Sequence, residues 1–260
     1  MAASLDSVRS AEHREFDRLS AYLEKLDPDG WQEISYCADW PVLRVASHMS
    51  SNAVITRGRF ATWFKGEAAL GREDFMKIWG HFDSLTAQQM VPEFKKAHGD
   101  YLALLDTLTD EQANTEVEAF AGKAPAMRYV LARLSETTLH AWDIYVGRDR
   151  TAKLPEGAVE ALLPIQRAAT LDKTRIEKLK PRVIQFRTTN PASSYVLDLS
   201  GDAPVLSQGE NSAAELSLEM PAEQFCRLMY GRDYVPGVKS GVKVLGGSAD
   251  DQGALFRAFR

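Results

Sequence analysis

The chain has 260 residues, 45% hydrophobic and 26% charged, a length that accommodates two modest domains or one large one. Its net charge of -5, with the basic residues scattered, argues against a nucleic-acid binder, because phosphate affinity needs clustered Lys and Arg. Two cysteines far apart in sequence, Cys37 and Cys226, indicate no disulfide framework, and no apolar run is long enough to span a bilayer. Residues 4–18 are polar and charged where a signal peptide would be apolar, so a soluble cytoplasmic protein that binds no membrane is expected.

Val8, Phe16, Leu19, Tyr22, Leu23 and Leu26 recur at helical intervals and predict a first amphipathic helix over residues 5–26, stopped by Asp27-Pro28-Asp29-Gly30. His13 on it reads as a surface or core-edge residue. Residues 31–40 form a loop, and Asp39-Trp40-Pro41 reads as an N-cap followed by a first-turn proline, so a second helix is expected from about residue 40. His48 lies three residues after Val45 and seven before Ile55, on the stripe that faces inward. A lone histidine there is more often a satisfied core residue than a ligand. This helix continues through Phe60 and Phe64 towards Gly66, and residues 67–82 read as a charged connection anchored by Phe75 and Trp79. Met90, Phe94, Tyr101, Leu104, Leu105 and Leu108 mark a third helix. His81 and His98 have no partner identifiable from spacing and read as structural or surface residues.

A fourth helix is expected over residues 125–146, ending at Gly147. Glu136, His140 and Asp143, spaced by four and three, project from one stripe of it. The apolar residues Val130, Leu131, Leu134, Leu139, Trp142, Ile144 and Tyr145 spread so widely around it that most of its surface should be buried. Buried ionisable groups need partners, and a divalent metal would serve. A Glu and a His four apart are also common on ordinary solvated helices, and a catalytic zinc usually takes three protein ligands and an open position. Four long helical patterns suggest a four-helix bundle, in which side chains of facing helices build metal sites. His48 on one helix with Glu136 and His140 on another is then a reasonable set.

After Arg148 the texture changes. A helical pattern over residues 156–179 precedes short alternating runs at 182–187, 194–199 and 214–218, then a helix over 221–230, a strand at 242–245 and a closing helix over 249–259. The fold class is therefore a mixed one: an N-terminal four-helix bundle over residues 1–150 followed by a small α+β domain over 151–260. Gly246-Gly247 reads as a tight turn, since it lacks the third glycine of a dinucleotide fingerprint.

The segment Cys37-Ala38-Asp39-Trp40-Pro41-Val42-Leu43-Arg44-Val45-Ala46-Ser47-His48, taken with Glu136-Thr137-Thr138-Leu139-His140-Ala141-Trp142-Asp143, resembles the mycothiol-dependent maleylpyruvate isomerase family. The resemblance covers the whole chain. It implies a DinB-like metal-binding bundle, a C-terminal domain similar to sterol carrier proteins, and metal ligands at His48, Glu136 and His140. The chain departs from the family's usual loop, carrying Ala38 and Asp39 where a proline and a glycine are common. Two neutral imidazoles and one carboxylate would leave Zn2+ a net positive charge and a vacant position, where a thiol loses its proton near neutral pH. With mycothiol as the thiol cofactor, the resemblance implies either isomerisation, by addition, bond rotation and elimination, or conjugation of an electrophile. The partners implied are a small-molecule substrate and this low-molecular-weight thiol, in a monomer or homodimer.

Asp143 and Arg232 are the candidate catalytic side chains. Asp143 would orient a ligand imidazole, anchor a neighbouring group, or act as general base if water took the thiol's place. Arg232 follows the helix-ending Gly231, where it would face an anionic substrate, although a solvated arginine is the commoner role. Trp40 and Trp142 are the candidate cofactor contacts, set against core packing as the usual fate of such residues. Cys37 reads as a small buried residue. A lipid-carrying module and a metal-dependent hydrolase are the competing functions.

Overall fold

A computed structural model describes residues 3–37, 39–119, 122–165, 171 and 173–259. Two compact units divide the chain between Ala158 and Val159.

The first unit is a bundle. Its elements are α1 (Leu5–Leu23), α2 (Pro28–Gln32), α3 (Val42–Lys65), α4 (Arg72–Asp83), α5 (Ala87–Thr107), α6 (Asp110–Asn114), the hairpin β1 (Glu116–Ala119) and β2 (Gly122–Pro125), and α7 (Ala126–Arg148). Helices α1 and α3 each pack on both α5 and α7, which makes these the four long helices of the bundle. Arg9 on α1 donates to the Leu105 carbonyl of α5 while Glu24 pairs with Lys95, so those two helices run antiparallel. Helices α3 and α7 are also antiparallel: His48 meets Glu136 near one end and Trp63 packs on Tyr129 near the other. Side chains from the first half of α3 and the second half of α7 therefore share one level of the bundle.

Four details differ from expectation. The connection over 67–82 contains α4, whose Phe75, Ile78, Trp79 and Phe82 recur at helical spacing. The turn before α7 pairs as the β1–β2 hairpin. At the start of α3, Asp39 is not the cap: it takes a positive φ of 62° inside a reversing loop, and Pro41 is the N-cap residue. That loop bonds Trp40 N–H to the Cys37 carbonyl and Ser35 N–H to the Trp40 carbonyl, and Ile34 bridges Pro41. Gly147, expected as a terminator, is instead helical, and α7 closes one residue later.

The bundle core includes polar side chains. Glu12, His98, Tyr101 and Arg133 are each no more than 2% exposed. Burial, joined by the positive charge of Arg133, holds the His98 imidazole well below its usual pKa, so the ring is neutral and the guanidinium is the cation. Burial pushes the Glu12 carboxyl up to about 7, against the opposing pull of Arg133 and a hydrogen bond with Thr137. A pKa raised on folding contributes stability that is complete below the unfolded value of 4.5 and is lost as pH rises through 7. Glu12→Gln removes this titration. The variant should gain about 3 kcal/mol on the native protein between pH 4 and pH 8, and urea midpoints that shift equally at both pH values would refute it.

The second unit follows α8 (Glu156–Leu162), the helix in which the division falls, and a single turn of 3-10 helix at Leu163–Ile165. Part of the long helical pattern expected over 156–179 lies outside the described residues; within it stands the short α9 (Lys173–Ile176). The sheet comprises β3 (Val183–Thr189), β4 (Ser193–Asp198), β5 (Val205–Gln208), β6 (Leu216–Pro221) and β7 (Lys243–Gly246), in the order β5-β4-β3-β6-β7. All neighbours are antiparallel except β3 and β6. Alternate residues Leu216, Leu218 and Met220 of β6 are buried, as a half-buried strand requires. Helix α10 (Ala222–Met229) packs on this sheet, with Phe225 stacked on Tyr195 at 4.8 Å, and α11 (Ala249–Ala258) closes the unit. Strand β5, absent from the sequence reading, is a short edge whose alternation is too brief to stand out from its polar neighbours. Among the described residues no helix is long and apolar enough to cross a membrane.

Candidate metal centre

His48, from α3, and Glu136 and His140, from α7, each bring one ligand atom to a common point, all within 4.8 Å of one another. Glu136 Oε2 lies 3.2 Å from His48 Nε2 and 3.4 Å from His140 Nε2, and the two imidazoles meet edge to face at 4.9 Å. The carboxylate joins rings from two helices. Exposure is graded: the Glu136 side chain is 42% exposed, His48 31%, His140 11% and Asp143 0%. The group thus opens at Glu136 and His48 and closes behind His140.

Asp143 supplies that closure. Its Oδ2 accepts from His140 Nδ1 at 3.0 Å, which leaves Nε2 directed to the Glu136 side. A buried carboxylate behind a metal-ligating histidine fixes the ring's tautomer and orientation and makes it a stronger donor. This geometry suits orientation of the ring better than proton abstraction from water. The loop over residues 33–41 is pinned alongside, since Tyr36 N–H donates to the Asp143 carbonyl. It brings Cys37 into hydrogen-bonding contact with His140, and Cys37, His140 and Asp143 form a second group with ligand atoms within 4.8 Å. Cys37 is half-buried rather than buried. Only the folding-back of its loop relates it to a histidine about a hundred positions away, and no spacing signals that.

The electrostatics follow from this enclosure. Burial disfavours charge on His140, but its hydrogen bonds to Asp143, Cys37 and Glu136 outweigh that and push its pKa up to about 11. Burial likewise opposes ionisation of Glu136, yet the hydrogen bonds and charges of His140 and His48 hold its carboxyl well below the ordinary range. An ion that takes Nε2 of His140 has to displace a proton. Two imidazole nitrogens and one carboxylate oxygen, with an open side, match the donor set of a catalytic zinc site. Asp143→Asn keeps the side chain's volume and weakens its hold on the ring; zinc affinity should fall about 10- to 100-fold. Competition with a coloured chelator would measure this, and unchanged affinity would remove Asp143 from the site.

Trp40 packs edge-on against His48, ring centroids 5.5 Å apart, with the Arg44 guanidinium 5.2 Å from its own ring. Trp142 is 1% exposed, packs against Tyr36 at 4.9 Å and donates from Nε1 to the Ala152 carbonyl at 2.8 Å. Its indole is enclosed by protein. Arg232 belongs to the second unit, where its Nη1 donates to the Tyr230 carbonyl. His13 pairs with Asp106, exposed His81 pairs with Glu93, and His98 is a core residue.

Residues 13–145 match the family model described as the mycothiol maleylpyruvate isomerase N-terminal domain. The chain belongs to this family. Residues 162–241 match the SCP-2 sterol transfer family. Two solved structures share the fold of the whole chain, each aligned over 95% of both chains: the mycothiol-dependent maleylpyruvate isomerase, at 14% identity and a TM-score of 0.66, and a histidine-to-alanine mutant of the mycothiol-dependent maleylpyruvate isomerase, at 13% and 0.64. No curated protein matches in sequence. Within the maleylpyruvate isomerase family architecture, a helical bundle followed by a sterol-carrier-like α+β unit is thus the fold of this chain.

Proposed function

We propose that the protein is a metal-dependent enzyme that uses a low-molecular-weight thiol, mycothiol, to isomerise or S-conjugate a small electrophilic substrate, anionic ones included. The observation that carries this is the convergence of His48, Glu136 and His140 on one point at the open side of the bundle. The family match and the mycothiol-dependent enzymes that share this fold favour mycothiol as the thiol. A divalent ion, with Zn2+ the one this donor set suits, would hold an incoming thiol as the nucleophilic thiolate at neutral pH. In this reading His48 and Glu136 hold the ion from the open side, and Asp143 keeps the His140 ring turned to present Nε2. Trp40 screens one edge of His48 from water.

Metal analysis of the purified protein, followed by assay with and without mycothiol, tests the proposal. It expects about one zinc per chain and turnover of a maleyl-type cis-alkene or a reactive electrophile only when the thiol is added. Full activity in a metal-free preparation would sink it. The sterol-transfer match over residues 162–241 favours a second reading, a carrier of apolar ligands. Lipid recovered stoichiometrically by mass spectrometry from metal-free protein would support that alternative.

A further inference from the structure

The polar cluster in the bundle core touches the backbone beside two of the candidate ligands. Arg133 lies on α7 three residues before Glu136 and is 2% exposed. Its Nη2 donates to the carbonyl of Met49, the residue that follows His48, at 3.2 Å and approaches His98 Nδ1 at 3.3 Å. Its guanidinium carbon lies 5.6 Å from the Tyr101 ring centroid. Glu12 reaches from α1 to hydrogen-bond Thr137, the residue after Glu136. The cluster thus draws on all four long helices, and two of its contacts fall next to His48 and Glu136 in sequence.

Packing alone does not account for such a cluster. Among the described residues, Arg133 Nε and Nη1, Glu12 Oε1 and the Tyr101 hydroxyl are buried without a hydrogen-bond partner. Incompletely paired buried charges are costly, and well-packed apolar side chains of similar volume are usually no worse for stability. What an apolar residue cannot do is donate to the Met49 carbonyl while sitting on α7. That bond ties α7 to α3 one residue from His48, at the level where the candidate ligands meet and where a metal-binding constellation has to be held to within about 0.5 Å.

We infer that Arg133, set between His98 and Tyr101, is a positioning residue for the metal centre, fixing α3 against α7 so that His48 and Glu136 reach the same ion. The inference rests on the proposed ligand role of His48, Glu136 and His140, and its test separates the two. Arg133→Met retains length and packing but removes the donors. Its zinc affinity, measured by chelator competition, should fall at least about tenfold. The visible absorption of the cobalt-substituted protein, which reports ligand geometry, should change in shape.

Arg133→Met/Glu12→Gln neutralises the buried carboxyl that the first change deprives of a nearby positive charge. This double variant should recover thermal stability while keeping the weakened affinity and the altered cobalt spectrum, and it carries the test if the single variant folds poorly. Wild-type affinity and spectrum in either variant would overturn the positioning role, as would full recovery of both in the double variant. His48→Ala serves as the reference. Should it retain zinc, the ligand assignment itself has failed; should it lose zinc while Arg133→Met keeps it, only the inference about Arg133 has.

Discussion

His48→Ala should release the metal and abolish thiol-dependent turnover while the bundle stays folded. In the proposed site His48 is the ligand from α3, and the two from α7 would not close a three-donor site without it. Losing it should weaken zinc binding by more than the roughly 10- to 100-fold that follows removal of a group behind a ligand. Because the side chain is 31% exposed and its ring faces His140 and Glu136 rather than the apolar core, the substitution should cost little stability. The control is His81→Ala, which removes an exposed ring 3.4 Å from Glu93 and should leave zinc stoichiometry and turnover unchanged. The same site sets a pH dependence. The His140 proton is held up to about 11, so each ion bound near neutrality releases a proton, and apparent zinc affinity should fall about tenfold per unit of falling pH. A zinc affinity that is flat across pH 6–8 would show that His140 is not a ligand.

Trp142→Ala should destabilise the bundle by about 3–5 kcal/mol, the range for deleting a fully buried large aromatic side chain. The indole is 1% exposed and its Nε1 satisfies the Ala152 carbonyl, so truncation both opens a cavity and strips a buried acceptor. It also removes the surface on which Tyr36 packs, and Tyr36 is tied to the Asp143 carbonyl beside His140. Zinc affinity should therefore drop together with stability, as the loop carrying Cys37 loosens. Urea unfolding followed by helical circular dichroism checks the first effect and chelator competition the second. Near-native stability with a selective loss of thiol affinity would instead make Trp142 a cofactor contact.

The stripe of Glu136, His140 and Asp143 was legible because helical periodicity is local: spacings of four and three put the side chains on one face whatever surrounds the helix. The same logic located α1, α3, α5 and α7, whose apolar repeats run for several turns. It does not recover α4, because the charged start Arg72-Glu73-Asp74 and the glycine Gly80 mask an apolar repeat only two turns long, and most of that helix is exposed. Asp39 misleads for a related reason. Asp before Trp-Pro is a common start signal, but a residue with a positive φ in a reversing loop cannot cap the helix that follows.

By itself, the order of residues determined the helices of the bundle, the change to strands after Arg148, and three residues of the right chemistry on two of those helices. It left open whether His48 is a core histidine or a ligand, because nothing within α3 distinguishes the two. The antiparallel packing of α3 on α7 brings its Nε2 to 3.2 Å from Glu136. Tertiary structure also decided what stands behind that group: Asp143 turned onto His140, Cys37 folded in from a distant loop, and Arg133 bonded to the Met49 carbonyl 84 positions away. Periodicity encodes which side of an element faces inward. Which inward-facing groups then touch depends on how whole helices pack, and that is a property of the assembled chain.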